Sequence, residues 1–189
     1  MTEGAGRKLV LLRHAKSAWP DVPDHERPLA GRGRRDAPTM GRWLRAAGHV
    51  PDHVLCSTAR RARETWLLVQ PELLAAPPVS FEDRVYEASA ASLLELAQQV
   101  PPAVKTLLIV GHDPGVPGLA LTLAGSAVPA GGGAGDGTVP PAAIGRMRVK
   151  FPTAAIAVLE LTGPWAHLGP RAAWLADFVT PHDVGSPAG

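Results

Sequence analysis

An arginine and a histidine stand side by side at Arg13-His14, directly after the apolar run Leu9-Val10-Leu11-Leu12, and Lys16 and Ser17 follow them. A neutral imidazole is a nucleophile, and a guanidinium is a planar fork of donors matched to phosphoryl oxygens. Two further segments carry related groups. Ser57-Thr58-Ala59-Arg60-Arg61-Ala62 follows Val54-Leu55-Cys56, and Gly111-His112-Asp113-Pro114-Gly115 follows the apolar run at 106–110. Each cluster sits where a buried strand would stop. In a parallel sheet, neighbouring strand ends converge on one edge, where ligands bind. Two histidines and at least two arginines, distant in sequence, are therefore expected in one pocket. Its chemistry would be attack of an imidazole nitrogen on phosphorus, with positioning and charge neutralisation lowering the barrier.

The elements that must position these groups alternate in type. Residues 8–12 read as a strand buried on both faces. Residues 19–28 are polar, contain three prolines and read as a loop. After Gly31-Arg32-Gly33, Met40, Trp43, Leu44 and Ala47 recur at helical spacing, with Gly48 as a stop. A second strand spans 53–56, and Ser57 or Thr58 is placed to cap a helix through Arg61, Thr65 and Leu68. A short strand at 79–81 precedes a helix carrying Leu93, Leu96, Ala97 and Val100, with Ser92 and Glu95 as a capping box. After the strand at 106–110 comes a helix of small apolar residues to about Ala124. The Gly- and Ala-rich stretch around 129–141 reads as a flexible loop. A strand is expected at 154–161, and 172–178 suits a strand or a helical turn equally. This alternation predicts an α/β three-layer sandwich, with a mainly parallel central sheet and helices on both faces. One domain over residues 1–189, with its core at about 8–180, is expected.

Composition narrows the function classes. The 189 residues are 46% hydrophobic and 19% charged, which suits a folded domain with a full core. A formal net charge of +2 gives no reason to invoke nucleic acid. Arg32, Arg34 and Arg35 read as a solvated helix face. Cys56 is the single cysteine, so no intrachain disulfide forms, and its place in a strand marks a buried structural thiol. No secretory signal or membrane-length apolar run appears, and a cytoplasmic location is expected. His25, His49, His53, His167 and His182 are expected at the surface or in loops.

The three segments also match a family. Leu11-Leu12-Arg13-His14-Ala15-Lys16-Ser17 resembles the N-terminal signature of the histidine phosphatase (phosphoglycerate mutase-like) superfamily. Its Arg-His-Ala-Lys-Ser form is similar to the SixA-type phosphohistidine phosphatase branch. Ser57 to Thr65 resembles the family's Ser-x-x-x-Arg-Ala-x-x-Thr segment, a register that selects Arg61 over Arg60 and Arg63. Val110-Gly111-His112 resembles the segment that carries the second histidine. Weaker echoes are Arg27-Pro28-Leu29, Tyr86-Glu87-Ala88-Ser89 and Lys150-Phe151-Pro152-Thr153. The resemblance implies a phosphoglycerate mutase-like fold and a phosphatase that needs no metal or other cofactor. It implies a phosphorylated nucleophile at His14, with Arg13, Arg61 and His112 completing the phosphate pocket. It further implies that Arg27 lines the pocket, that Ser17 is the signature serine, and that Glu87 is the proton donor. Asp21, Asp24 and Glu82 rival Glu87 for that role. The substrate would be a phosphorylated small molecule or a phosphohistidine protein. Two other classes remain as alternatives: a metal-dependent hydrolase using His14, His112 and Asp113, and a non-catalytic phosphoprotein-binding module.

Overall fold

The apolar run after the charged start extends from Arg7 to Arg13 as β1, the first of six strands in a computed structural model that describes residues 6–125, 141–161 and 163–185. The others are β2 (His53–Ser57), β3 (Val79–Glu82), β4 (Thr106–Gly111), β5 (Ile156–Leu161) and β6 (Ala173–Val179). They form one sheet in the order β3-β2-β4-β1-β5-β6. The pairs β2–β3, β2–β4 and β1–β4 are parallel, and β5 runs against both its neighbours. The two strands in the middle, β1 and β4, are the ones that end in Arg13-His14 and Gly111-His112.

Because β1 is apolar at four successive positions, Leu9 to Leu12, it serves two cores. Leu9 and Leu11 pack on one face with α3 (Ala90–Gln98), α4 (Gly115–Leu123) and Met147 of α5 (Pro141–Val149). Val10 and Leu12 pack on the other with α1 (Gly31–Ala46) and α2 (Arg60–Val69). Fully burying one such aliphatic side chain stabilises the fold by about 1.5–3 kcal/mol. The result is the α/β three-layer arrangement. Among the described residues, no helix is long and apolar enough to cross a membrane. Cys56 lies in the second core, where burial pushes its thiol pKa up, as suits a structural thiol.

Several local expectations are corrected. In α1 the buried stripe is Gly33, Ala37, Met40, Gly41 and Leu44, while Trp43 is half-buried and Ala47 exposed. Neither Ser57 nor Thr58 is the N-cap residue of α2. That position is Ala59, whose N–H donates to Ser57 Oγ at 3.2 Å. Helix α3 starts at Ala90, so its cap is Ser89, which accepts from Ser92 N, and Ser92 and Glu95 lie inside the helix. Residues 173–179 are strand rather than helical turn, because pairing with β5 supplies ladder bonds that no local pattern announces. His49 lies in the connection between α1 and β2, as expected of a loop residue, and is buried there. Its Nε2 lies 2.9 Å from the Asp177 carboxylate and its Nδ1 3.3 Å from Lys8 Nζ. Nearly all of the expected flexible loop at 129–141 lies outside the described residues.

Candidate active site

Strand pairing alone assembles the site. Arg13 is in register with Gly111, and Cys56 with Val110, so the ends of β1, β4 and β2 lie abreast. His14 N donates to Gly111 O at 2.9 Å, prolonging the ladder by one bond beyond β1. The rings of His14 and His112 are consequently 5.1 Å apart. Both are buried, as are Arg27, Arg61, Ser17 and Ser57.

The partners of His14 fix its tautomer. Its Nδ1 lies 2.8 Å from the Ala15 carbonyl, which only accepts, so Nδ1 carries the proton. The bare Nε2 then accepts from Arg61 Nε at 3.3 Å. Burial, with the nearby positive charges opposing protonation, lowers the His14 pKa to about 3 against an upward pull from the Ala15 hydrogen bond. Burial, and next the Arg61 charge, lowers His112 to about 4. At neutral pH both rings are neutral, and His14 presents a lone pair on Nε2.

Helix α2 brings Arg61 inward by period. Arg61, Ala62, Thr65, Trp66 and Val69 share its buried face, while Arg60 and Arg63 are exposed. Thr65 Oγ1 accepts from Ala15 N at 3.0 Å and donates to Arg61 O at 2.7 Å, tying this helix to the backbone beside His14. Arg13 Nη1 donates to Phe151 O at 2.7 Å and pairs with Asp113 at 3.2 Å. Its Nε is buried with no hydrogen-bond partner among the described residues. Arg27 donates from Nη2 to Ser17 Oγ at 2.6 Å and from Nε to Ala18 O at 3.1 Å, and Trp19 stacks on it with the guanidinium 3.3 Å from the ring centre.

Asp24 is the residue that sequence reasoning ranked too low. It lies in a short 3-10 turn, Asp24–Glu26, where no periodicity marks it. Its carboxylate accepts from Arg27 Nη1 at 2.9 Å, Arg61 Nη2 at 3.0 Å and Tyr86 Oη at 2.8 Å. The Tyr86 hydroxyl first, then Arg27, holds its pKa well below the usual carboxylate range. Asp24 is therefore ionised at neutral pH, where it has no proton to give a leaving group. Glu82 is tied to Arg84 and lines a different cleft, and Asp21 does not line this one. Glu87 does line it, is exposed, and holds a left-handed backbone at φ 53°. A glutamate there carries steric strain, a feature that clusters at functional positions.

The cleft has a volume of about 450 Å³. It brings together the residues that the family resemblance implies for the site: Arg13, His14, Ser17, Arg27, Arg61, Glu87 and His112. It adds Lys16, Asp113 and Thr153, the last supplied by the weak echo before β5. Ser57 stands behind His112, and His25 bonds Thr58 at the rim while meeting Tyr86 edge-on. Among the described residues, no three His, Cys, Asp or Glu side chains are grouped to hold a metal ion.

The sequence and the fold both have known counterparts. The profile of the histidine phosphatase superfamily (branch 1) matches residues 9–108. An uncharacterized protein of Mycobacterium tuberculosis is 43% identical over 171 residues, spanning 90% of this chain and 99% of its own. A solved structure assigned to phosphohistidine phosphatase SixA of Nakamurella multipartitia is 32% identical, with a TM-score of 0.78, and covers 95% of this chain and 99% of that one. One assigned to the same enzyme of Agrobacterium tumefaciens is 25% identical, with a TM-score of 0.72, over 94% and 100%. By the profile, the near full-length relative and the shared fold, the chain belongs to the histidine phosphatase superfamily, branch 1, and is a phosphatase of SixA-like build.

Proposed function

We propose that this phosphatase hydrolyses phosphohistidine or a phosphate monoester through a covalent phosphohistidine on His14, without a metal. The observation that carries the reading is the His14 ring itself. The Ala15 carbonyl holds the proton on Nδ1, burial keeps the ring neutral, and Nε2 faces the Arg61 guanidinium. In the first step the Nε2 lone pair forms a bond to phosphorus, and the bond to the leaving group breaks with its electron pair. Arg13, Arg61 and His112 hold the phosphoryl oxygens, with Arg27 and Ser17 beside them. An alkoxide leaving group takes a proton from Glu87, whereas imidazole leaves readily and needs that proton less. In the second step water attacks phosphorus and the nitrogen–phosphorus pair returns to Nε2, releasing phosphate. The SixA names of the structural relatives favour a phosphohistidine protein over a small monoester. The lone buried thiol of Cys56 suits a reducing cytoplasm.

The test is turnover of a chromogenic aryl phosphate, and of phosphohistidine, in excess chelator, by the native protein and by His14→Ala. Activity that persists with chelator and disappears in the variant is the expected result. Loss of activity to chelator would indicate a metal-dependent hydrolase. Phosphate binding without turnover of either substrate would indicate a binding module.

A further inference from the structure

Ser57 ends β2 and is fully buried. Its Oγ lies 2.7 Å from His112 Nε2 and accepts the Ala59 N–H at 3.2 Å. On the far side of the ring, His112 Nδ1 lies 3.4 Å from Arg61 Nη2. A guanidinium only donates, so this contact requires a bare Nδ1 and a proton on Nε2 that points at Ser57. Ser57 Oγ then accepts twice, and its own hydroxyl hydrogen finds no other acceptor among the described hydrogen bonds. In the other tautomer Ser57 donates to Nε2 over the short 2.7 Å contact, but Nδ1–H is set against the Arg61 N–H groups. Each arrangement leaves one buried donor unserved, so neither is fully satisfied in the open cleft. An anionic oxygen arriving between Arg61 and His112 removes the conflict, because it accepts from both.

We propose that Ser57 is the positioning residue that sets the tautomer of His112: a bound phosphoryl group draws the ring proton to Nδ1, and the Ser57 hydroxyl reverses from acceptor to donor. The inference rests on the reading of this cleft as a phosphoryl site. The ring is neutral before and after: water in the open cleft supplies the Nδ1 proton, and the Nε2 proton is given up to solvent, so no net charge is gained. The burial that lowers the His112 pKa keeps a second proton off. The hydroxyl thus lets one imidazole face a guanidinium when the cleft is open and donate to the transferring group when it is filled.

The experiment is nitrogen NMR of the whole protein with labelled histidine, before and after saturation with inorganic phosphate. The expected result is a protonated Nε2 on His112 without phosphate and a protonated Nδ1 with it. In Ser57→Ala the exchange should be lost and kcat/KM should fall about 10- to 100-fold. In Ser57→Thr, which keeps the hydroxyl, both should recover. Ser57→Ala also removes the Ala59 acceptor, which changes unfolding free energy but not a ring tautomer, and the wild-type spectra decide the point even if the variant does not fold. One tautomer of His112 in both states, with His14 resonances moved by phosphate, overturns the proposal and leaves the phosphoryl reading intact. An exchange that persists in Ser57→Ala also overturns it. Phosphate that moves neither ring overturns both readings.

Discussion

Acid should destabilise this protein through its two buried imidazoles, by an amount that follows from their surroundings. Burial lowers His14 to about 3 and His112 to about 4, from an ordinary 6.5. The unfolded chain restores the ordinary value, so the folded state binds fewer protons in between. Stability is then complete above the unfolded pKa and is lost as pH falls towards the folded values. At about pH 5 each histidine has been protonated only in the unfolded state, across roughly 1.5 pH units, which costs about 2 kcal/mol. The figure is the same for both rings, since both folded values lie below that pH. Together they remove about 4 kcal/mol, a large share of the roughly 5–15 kcal/mol that holds a typical domain. Replacing His14 with Asn isolates one half. Urea unfolding at about pH 7 and about pH 5 should show the variant losing about 2 kcal/mol less than the native protein. An equal loss in both proteins would falsify the burial argument, and with it the account of why Nε2 is bare at neutral pH.

Other substitutions test other parts of the site. A Cβ on Gly33 would fall onto the Lys16 carbonyl oxygen and come within 2.9 Å of the Lys16 nitrogen. Gly33→Ala should lower the unfolding free energy by about 1–3 kcal/mol and, by shifting the loop after His14, cut kcat on the order of tenfold. An unchanged thermal midpoint would contradict that packing. Asp24 occupies N–H groups of Arg27 and Arg61 that face the cleft, so Asp24→Asn should tighten inhibition by inorganic phosphate about 3- to 5-fold. Weaker inhibition would show instead that the carboxylate is needed to hold the two arginines. Glu87→Gln should lower kcat about 100-fold on an alkyl phosphate and less than about tenfold on phosphohistidine. Equal losses on both substrates would take the proton-donor role from Glu87.

How far the sequence could be read depended on whether a residue's position is set locally. Arg13, His14 and His112 were legible because each ends an apolar run, and a run buried on both faces announces itself. Arg61 was legible because helical period separates it from Arg60 and Arg63, which turn outward. Asp24 and Tyr86 were harder. They lie in turns without period, and their meeting depends on bonds that span 62 residues. β6 was ambiguous for the same reason, since its partner strand rather than its own composition decides its form. The burial of His49 in its loop was not legible because its partners, Lys8 and Asp177, lie on β1 and on β6 at the sheet edge, 41 and 128 residues away in sequence.

The bond between Thr65 and Ala15 has a mechanical consequence. Thr65 also anchors to the Arg61 carbonyl one turn earlier, so a single helix carries both a cation of the cleft and the clamp on the chain beside the nucleophile. If α2 slides or tilts, Arg61 and His14 travel together. Their separation is then insulated from small displacements of the surrounding fold, and sequence drift in the packing beneath α2 would move the site as a unit without prising it apart.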